Sequence, residues 1–230
     1  MNLERLDIVI LTRDRLADTK RTLDTGTTIW KTHIIAVDDG STDGTLDFFN
    51  QIGASIIKAQ RPFIFARNVN QGLRLSTSKY VLVINNDIIF WESAIDKMIE
   101  VLDTHPDVGM VGPMSNRAAN HPEQRGQTYR TLPMFCLLIR ASLFGTVGFL
   151  DESFTGYGCE DDDYSIRVME AGYKLWVCSD AYVQHKHCST FLSLYDEAQK
   201  HDMYYKNKDI FRAKYDGLPP AQDWKEKGSV

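Results

Sequence analysis

Short apolar runs that each end in a cluster of turn-forming polar residues constrain this 230-residue chain more than any other feature. Leu-Asp-Ile-Val-Ile-Leu at 6–11 runs into Thr12-Arg13-Asp14-Arg15, and His-Ile-Ile-Ala-Val at 33–37 runs into Asp38-Asp39-Gly40-Ser41. Tyr-Val-Leu-Val-Ile at 80–84 runs into Asn85-Asn86-Asp87. Near-continuous apolar runs predict strands covered on both faces, and the segments 18–28, 45–52 and 68–76 between them predict helices. That rhythm is the signature of β-α-β units, and so of an α/β fold with a mostly parallel, Rossmann-like central sheet flanked by helices. Ligands of open parallel sheets bind at the carboxyl ends of the strands, where all three polar clusters fall.

Further along, residues 54–59, 108–112 and 132–139 predict strands, and 174–177 and 181–185 predict two short ones. Residues 91–104 predict a helix, 140–146 a helical turn, and 192–215 a C-terminal helical segment. The stretch 115–130, rich in Asn, Gln, Arg and Gly, predicts a loop that could close over a ligand, and a Pro-, Gly- and charge-rich tail begins at 217.

The run Gly158-Cys159-Glu160-Asp161-Asp162-Asp163-Tyr164 places four carboxylates in consecutive positions. Like charges at that spacing resist ionising together, so one tends to take a raised pKa suited to abstracting a proton near neutral pH. Acids also favour the first turn of a helix, where they complement the dipole and cap free N–H groups. The run by itself is compatible with either role.

Net charge is −5, with no Lys/Arg stripe, which argues against nucleic-acid binding because that rests on phosphate neutralisation. An anionic substrate would therefore need a divalent cation. No apolar run reaches the roughly 20 residues of a membrane helix and no stretch has a signal-peptide pattern, so the expectation is a soluble, cytoplasmic protein with no transmembrane segment. Peripheral contact with a membrane surface is left open. The cysteines form no CxxC pair, and His185-Lys186-His187-Cys188 lacks a second ligand cluster, so free thiols rather than bridges or structural zinc are expected.

Taken in order, Ile-Val-Ile-Leu-Thr, Val37-Asp38-Asp39-Gly40-Ser41-Thr42-Asp43, Phe65-Ala66, Asn70-Gln71-Gly72 and Leu82-Val83-Ile84-Asn85-Asn86-Asp87 resemble the nucleotide-binding half of family-two glycosyltransferases of the GT-A fold. Val147-Gly148-Phe149-Leu150-Asp151-Glu152-Ser153-Phe154, Glu160-Asp161-Asp162-Asp163, Arg167, Ala171-Gly172-Tyr173 and His185 continue the resemblance, which spans roughly residues 6–190. It implies a GT-A domain over 1–190, with a nucleotide-binding half at 1–113 and an acceptor and catalytic half at 114–190. Residues 191–230 would then be a helical extension and tail.

The activity implied is metal-dependent, inverting transfer of a sugar from a UDP or dTDP donor to a hydroxyl acceptor, with a glycan as the expected acceptor. The resemblance makes Asp39 the acid that accepts the pyrimidine imide N–H, with Thr12 and Arg13 beside it and Arg67, Asn70, Asn85 and Asn86 on the donor side. Asn85-Asn86-Asp87 is similar to the Asp-X-Asp metal motif with its first acid replaced by Asn, as in members that transfer rhamnose. Asp87 would hold Mn²⁺ or Mg²⁺ and His185 would complete the shell. Asp161 would be the general base and Glu160 would orient it or the acceptor, while Asp163 would reach Arg167 at i+4.

The residues also admit plainer roles. Asp38 or Asp39 suits an Asx-turn, His185 a strand-end hydrogen bond, and Arg67 a surface charge. A sugar nucleotidyltransferase would carry a Gly-rich loop and a Lys after the first strand, and a dehydrogenase Gly-X-Gly-X-X-Gly; this chain has neither. A non-catalytic nucleotide-sugar or carbohydrate-binding module of the same fold remains a rival, and nothing in the sequence indicates an oligomeric state.

Overall fold

The computed structural model describes residues 5–116, 131–186 and 195–215. The loop expected at 115–130 falls almost wholly outside the described residues, as does the tail expected from 217. Among the described residues no helix is long and apolar enough to cross a membrane.

The elements in chain order are β1 (Leu6–Thr12), α1 (Leu16–Thr25), β2 (His33–Asp38), α2 (Thr45–Gln51), β3 (Ser55–Lys58), α3 (Phe65–Leu75), β4 (Tyr80–Asn85) and β5 (Ile88–Phe90). They continue with α4 (Ala94–Thr104), β6 (Val108–Ser115), β7 (Cys136–Arg140), α5 (Leu143–Thr146), α6 (Glu160–Glu170), β8 (Lys174–His185) and α7 (Glu197–Lys214). One sheet has the order β3-β2-β1-β4-β7-β6-β8-β5. Its first four strands are parallel, β7 runs antiparallel to both β4 and β6, β6 and β8 are parallel, and β5 closes the far edge antiparallel to β8.

Alternate residues of each strand feed opposite faces, and both faces are covered. Ile8, Ile10, Leu82 and Ile84 join Leu23, Phe49, Met98 and Leu102 in one core, whereas Val9, Ile35, Val81 and Val83 join Val69, Leu73, Tyr164 and Val168 in the other. Fully burying each such side chain is worth about 1.5–3 kcal/mol, which accounts for the unbroken apolar runs in the sequence. Asp7 is the exception within β1. Desolvation works against its ionised form, but bonds from the Ser76 and Ser78 hydroxyls and the Thr77 and Ser78 N–H groups outweigh it and hold the carboxyl below its ordinary value.

Gly72 lets α3 lie directly on the sheet, since a Cβ there would come within 2.4 Å of Val9 and 3.3 Å of Val37. Two elements differ from the sequence expectation. The strands expected at 174–177 and 181–185 are one strand, β8, whose pairing with β6 shifts register between Pro113 and Met114, so a β-bulge absorbs the polar Ser179-Asp180 step. β5 was hidden in the apolar start of the α4 region because three residues carry no readable period.

Candidate active site

The carboxyl ends of β1, β2 and β4 meet at one edge, and the hydrogen bonds there separate supporting residues from those left for a ligand. Asp38 is a turn former: its carboxylate accepts the Gly40 N–H at 2.9 Å and the Ser41 N–H at 3.1 Å. Asp39 follows in the same turn and is buried, its own N–H held by the Thr12 carbonyl at 2.9 Å. Arg13 donates to Asp39 Oδ2 at 3.1 Å and Arg61 to the Asp39 carbonyl at 2.8 Å. Asp39 Oδ1 is buried and accepts no hydrogen bond among the described residues, with the Arg61 guanidinium 3.3 Å away.

Asn68, on the first turns of α3, is 1% exposed and has neither amide atom hydrogen-bonded among the described residues. Its position follows from the register of α3 on the sheet. Ser76 bonds to Asp7 and Gly72 sits on Val9, so each four-residue step back along the helix advances two residues along β1. A helical step of about 6 Å matches two strand residues at about 3.3 Å each, which brings Asn68 to the level of Leu11 and, through pairing with β2, to the end of Val37. The orphaned amide and the orphaned Asp39 oxygen thus share one end of the sheet.

Two amides expected on the donor side are engaged internally. Asn86 Nδ2 lies within hydrogen-bond distance of Thr12 Oγ1 (3.2 Å), the Asp14 carbonyl (3.2 Å) and Thr19 Oγ1 (3.1 Å), joining the β4 turn to the β1–α1 loop. Asn70 exchanges bonds with the backbone of Leu150 at 2.9 and 3.0 Å and donates to Glu152 at 2.9 Å, tying α3 to the loop before α6. Arg67 turns back onto the carbonyls of Gln60 and Pro62.

Asp87 and His185 come together although 98 residues separate them, because β8 ends against β5 with Ile88 opposite His185. His185 Nε2 lies 3.1 Å from Asp87 Oδ1, both side chains are buried, and Asn85 Nδ2 is 3.5 Å from the same ring nitrogen. The imidazole stacks on Phe135 at 4.6 Å between ring centroids, and its backbone is held by Asn116 through bonds of 2.9 and 3.2 Å. A carboxylate oxygen and an imidazole nitrogen brought this close are donors that would suit a divalent cation such as Mn²⁺ or Mg²⁺. No group of three His, Cys, Asp or Glu residues able to hold a metal occurs among the described residues.

Chain continuity links this pair to the acidic run. The Asn85 N–H bonds to the Phe135 carbonyl at 2.9 Å, and the N–H of neighbouring Met134 donates to the Asp161 carboxylate. Asp161 also accepts the Asp162 N–H at 3.0 Å and remains partly exposed, whereas Glu160 is 3% exposed. Burial pushes both carboxyls up, Glu160 well above its ordinary value, and the charge of Asp161 adds to the shift on Glu160.

Asp163 points the other way, into the protein. Arg167 Nε at 2.8 Å, Lys214 Nζ at 2.5 Å and the Tyr215 hydroxyl at 2.8 Å surround its fully buried carboxylate. Asp163→Asn should therefore lower stability by about 3 kcal/mol, or the melting temperature by roughly 6–12 °C, while sparing most of the turnover. Thermal melts and donor turnover measured on the same preparation check both halves of that expectation.

The family model that matches this chain, over residues 7–164, is glycosyl transferase family 2. The chain belongs to that family. It has a GT-A fold, and solved structures of low sequence identity share the architecture. GalNAc-T7 with UDP, GalNAc and Mn²⁺ superposes at a TM-score of 0.66 and 12% identity, covering 80% of this chain and 44% of its own. The mannosyltransferase PcManGT of Pyrobaculum calidifontis, in complex with GDP-Man and Mn²⁺, gives 0.66 at 15% identity over 98% of this chain and 76% of its own. S. aureus TarS 1–349 gives 0.62 at 14% identity over 91% and 72%. A curated relative, the uncharacterised protein y4gI of Sinorhizobium fredii, is 26% identical over 208 residues, and the match takes in 73% of this chain but only 23% of the relative.

Proposed function

We propose that this chain is a glycosyltransferase that uses a divalent cation to bind a UDP or dTDP sugar and transfers the sugar to a hydroxyl acceptor, a glycan, with inversion. The buried Oδ1 of Asp39, which accepts no hydrogen bond among the described residues and lies 3.3 Å from the Arg61 guanidinium, carries the donor half of the reading. A pyrimidine imide offers one N–H between two carbonyls, which an acceptor oxygen and the Asn68 amide can satisfy together. A buried polar group left unmatched costs about 1–3 kcal/mol, so a base lacking that imide would bind more weakly.

Asp87 and His185 would hold Mn²⁺ or Mg²⁺; the imidazole favours Mn²⁺, and the GT-A neighbours crystallised with Mn²⁺ support that choice. The ion would offset the charge of the donor diphosphate. Asp161, the more accessible of the acidic pair, takes the proton of the acceptor hydroxyl as that oxygen attacks the anomeric carbon opposite the diphosphate. Glu160 orients it from the buried side. A single attack by the acceptor inverts the anomeric centre.

Calorimetric titration of UDP, dTDP, ADP and GDP with Mn²⁺ tests the pocket. The pyrimidine diphosphates should bind tighter by roughly tenfold, in line with one buried imide bond, and Asp39→Ala should erase most of that preference. Equal affinity for all four in the wild type would overturn the assignment of Asp39.

A further inference from the structure

The C-terminal helix reaches the acidic pair through one amide. Asn207 of α7 is 0% exposed, and the chain from Thr155 to Gly158 wraps around it. Its Oδ1 accepts the Thr155 N–H at 2.9 Å, and Nδ2 faces the carbonyls of Thr155 at 2.9 Å, Tyr157 at 3.1 Å and Gly158 at 2.9 Å. That loop cannot satisfy its own backbone. Gly156, Gly158 and Cys159 have φ of 68°, 107° and 70°, a left-handed course along which the carbonyls of Thr155, Tyr157 and Gly158 turn toward the Asn207 amide.

The peptide between Tyr157 and Gly158 joins this amide to the site. In a planar trans peptide the C=O and N–H point in opposite directions. Here the oxygen faces Asn207, and the Gly158 N–H on the far side of the peptide is a dipole that favours the ionised form of Glu160 two residues on. The same loop is tied to α3 through the Phe65 N–H on the Gly156 carbonyl at 2.9 Å. Anchorage of α7 itself does not require Asn207, since Phe211 packs with Phe154 and Cys159 while Lys214 and Tyr215 hold Asp163.

We propose that Asn207 is a positioning residue for sugar transfer: by fixing the backbone from Thr155 to Gly158, which leads directly into α6, it sets the place of the acidic pair at the start of that helix. This role rests on the transfer reading above. The charges of Asp161 and Asp162 on its own helix raise Glu160, and the Gly158 N–H acts in the opposite sense. Losing that dipole would disfavour the ionised form and move the acid limb of the pH–rate profile to higher pH.

The test compares Asn207→Leu, Asn207→Ser and Tyr215→Phe with the wild type in kcat, donor KM, nucleoside-diphosphate affinity, melting temperature and pH–rate profile. Asn207→Leu should lower kcat roughly 10–100-fold with donor affinity unchanged and the acid limb raised, and the serine, which keeps one donor, should recover part of the rate. If the leucine variant does not fold, the serine variant carries the comparison. Tyr215→Phe should lower the melting temperature and leave kcat and the acid limb unchanged. Wild-type kcat and acid limb in the Asn207 variants, or an equal loss in Tyr215→Phe, would overturn the role. A wild type that turns over no nucleotide-sugar would instead sink the transfer reading and this role with it.

Discussion

Asp161→Asn should lower sugar transfer roughly 10²–10⁴-fold while leaving nucleoside-diphosphate affinity nearly unchanged. Asparagine keeps the size of the side chain and can still accept the N–H groups of Met134 and Asp162, but it cannot take a proton. The pH dependence follows from the upward shift of both acids. The base works only when ionised, so the wild-type rate should rise with pH through a limb above the ordinary carboxylate range. Stability runs the opposite way. A carboxyl whose folded pKa exceeds its unfolded value binds more protons when folded, so its stability contribution is complete below the unfolded pKa and is lost as pH rises through the folded one.

At pH 8 the substitution should therefore cost rate without lowering the melting temperature, opposite to Asp163→Asn. Single-turnover rates and melts on both variants separate base from brace. Near-normal turnover in Asp161→Asn together with a loss in Glu160→Gln would pass the role of base to Glu160. If neither substitution mattered, the acidic run would be only a helix start.

The contrast between Asp161 and Asp163 marks where sequence stopped being informative. Apolar runs at β1, β2 and β4 state the parallel half of the sheet almost residue for residue, since burial on both faces leaves no other pattern. The reach of Asp163 to Arg167 was also legible, because i,i+4 geometry is local. Lys214 and Tyr215, which complete that cluster, lie more than fifty residues away and carry no local signal. Arg61 and Asn68 could have been suspected, standing just after β3 and at the opening of α3, on the same edge as Asp39. Asn207 could not: an asparagine among the charges of an amphipathic helix looks like any exposed position until the loop at 155–158 is wrapped around it. Asn70 and Asn86 had the right location, but only the hydrogen bonds disclose that their amides hold loops together.

Asp87→Ala should abolish metal-dependent donor binding, because Asp87 is the only carboxylate in its motif and the first position is held by Asn85. His185 alone cannot compensate, since a single neutral imidazole neither offsets the charge of a divalent ion nor supplies the oxygen that a hard cation prefers. The fold should survive. Asp87 takes part in the Lys186 N–H bond through its backbone carbonyl, which alanine retains, and His185 keeps its stack on Phe135 and its pairing with Ile88. Titrating UDP into wild type and variant, with Mn²⁺ and with EDTA, separates the outcomes without reference to turnover. The wild type should lose most of its affinity in EDTA, whereas the variant should bind equally weakly in both. His185→Ala should fall between them, weakening the Mn²⁺ effect while retaining part of it, because the carboxylate remains. An Asp87→Ala variant whose UDP affinity still responded to Mn²⁺ as the wild type does would place the cation elsewhere on the sheet edge and leave the Asp87–His185 contact as a structural one.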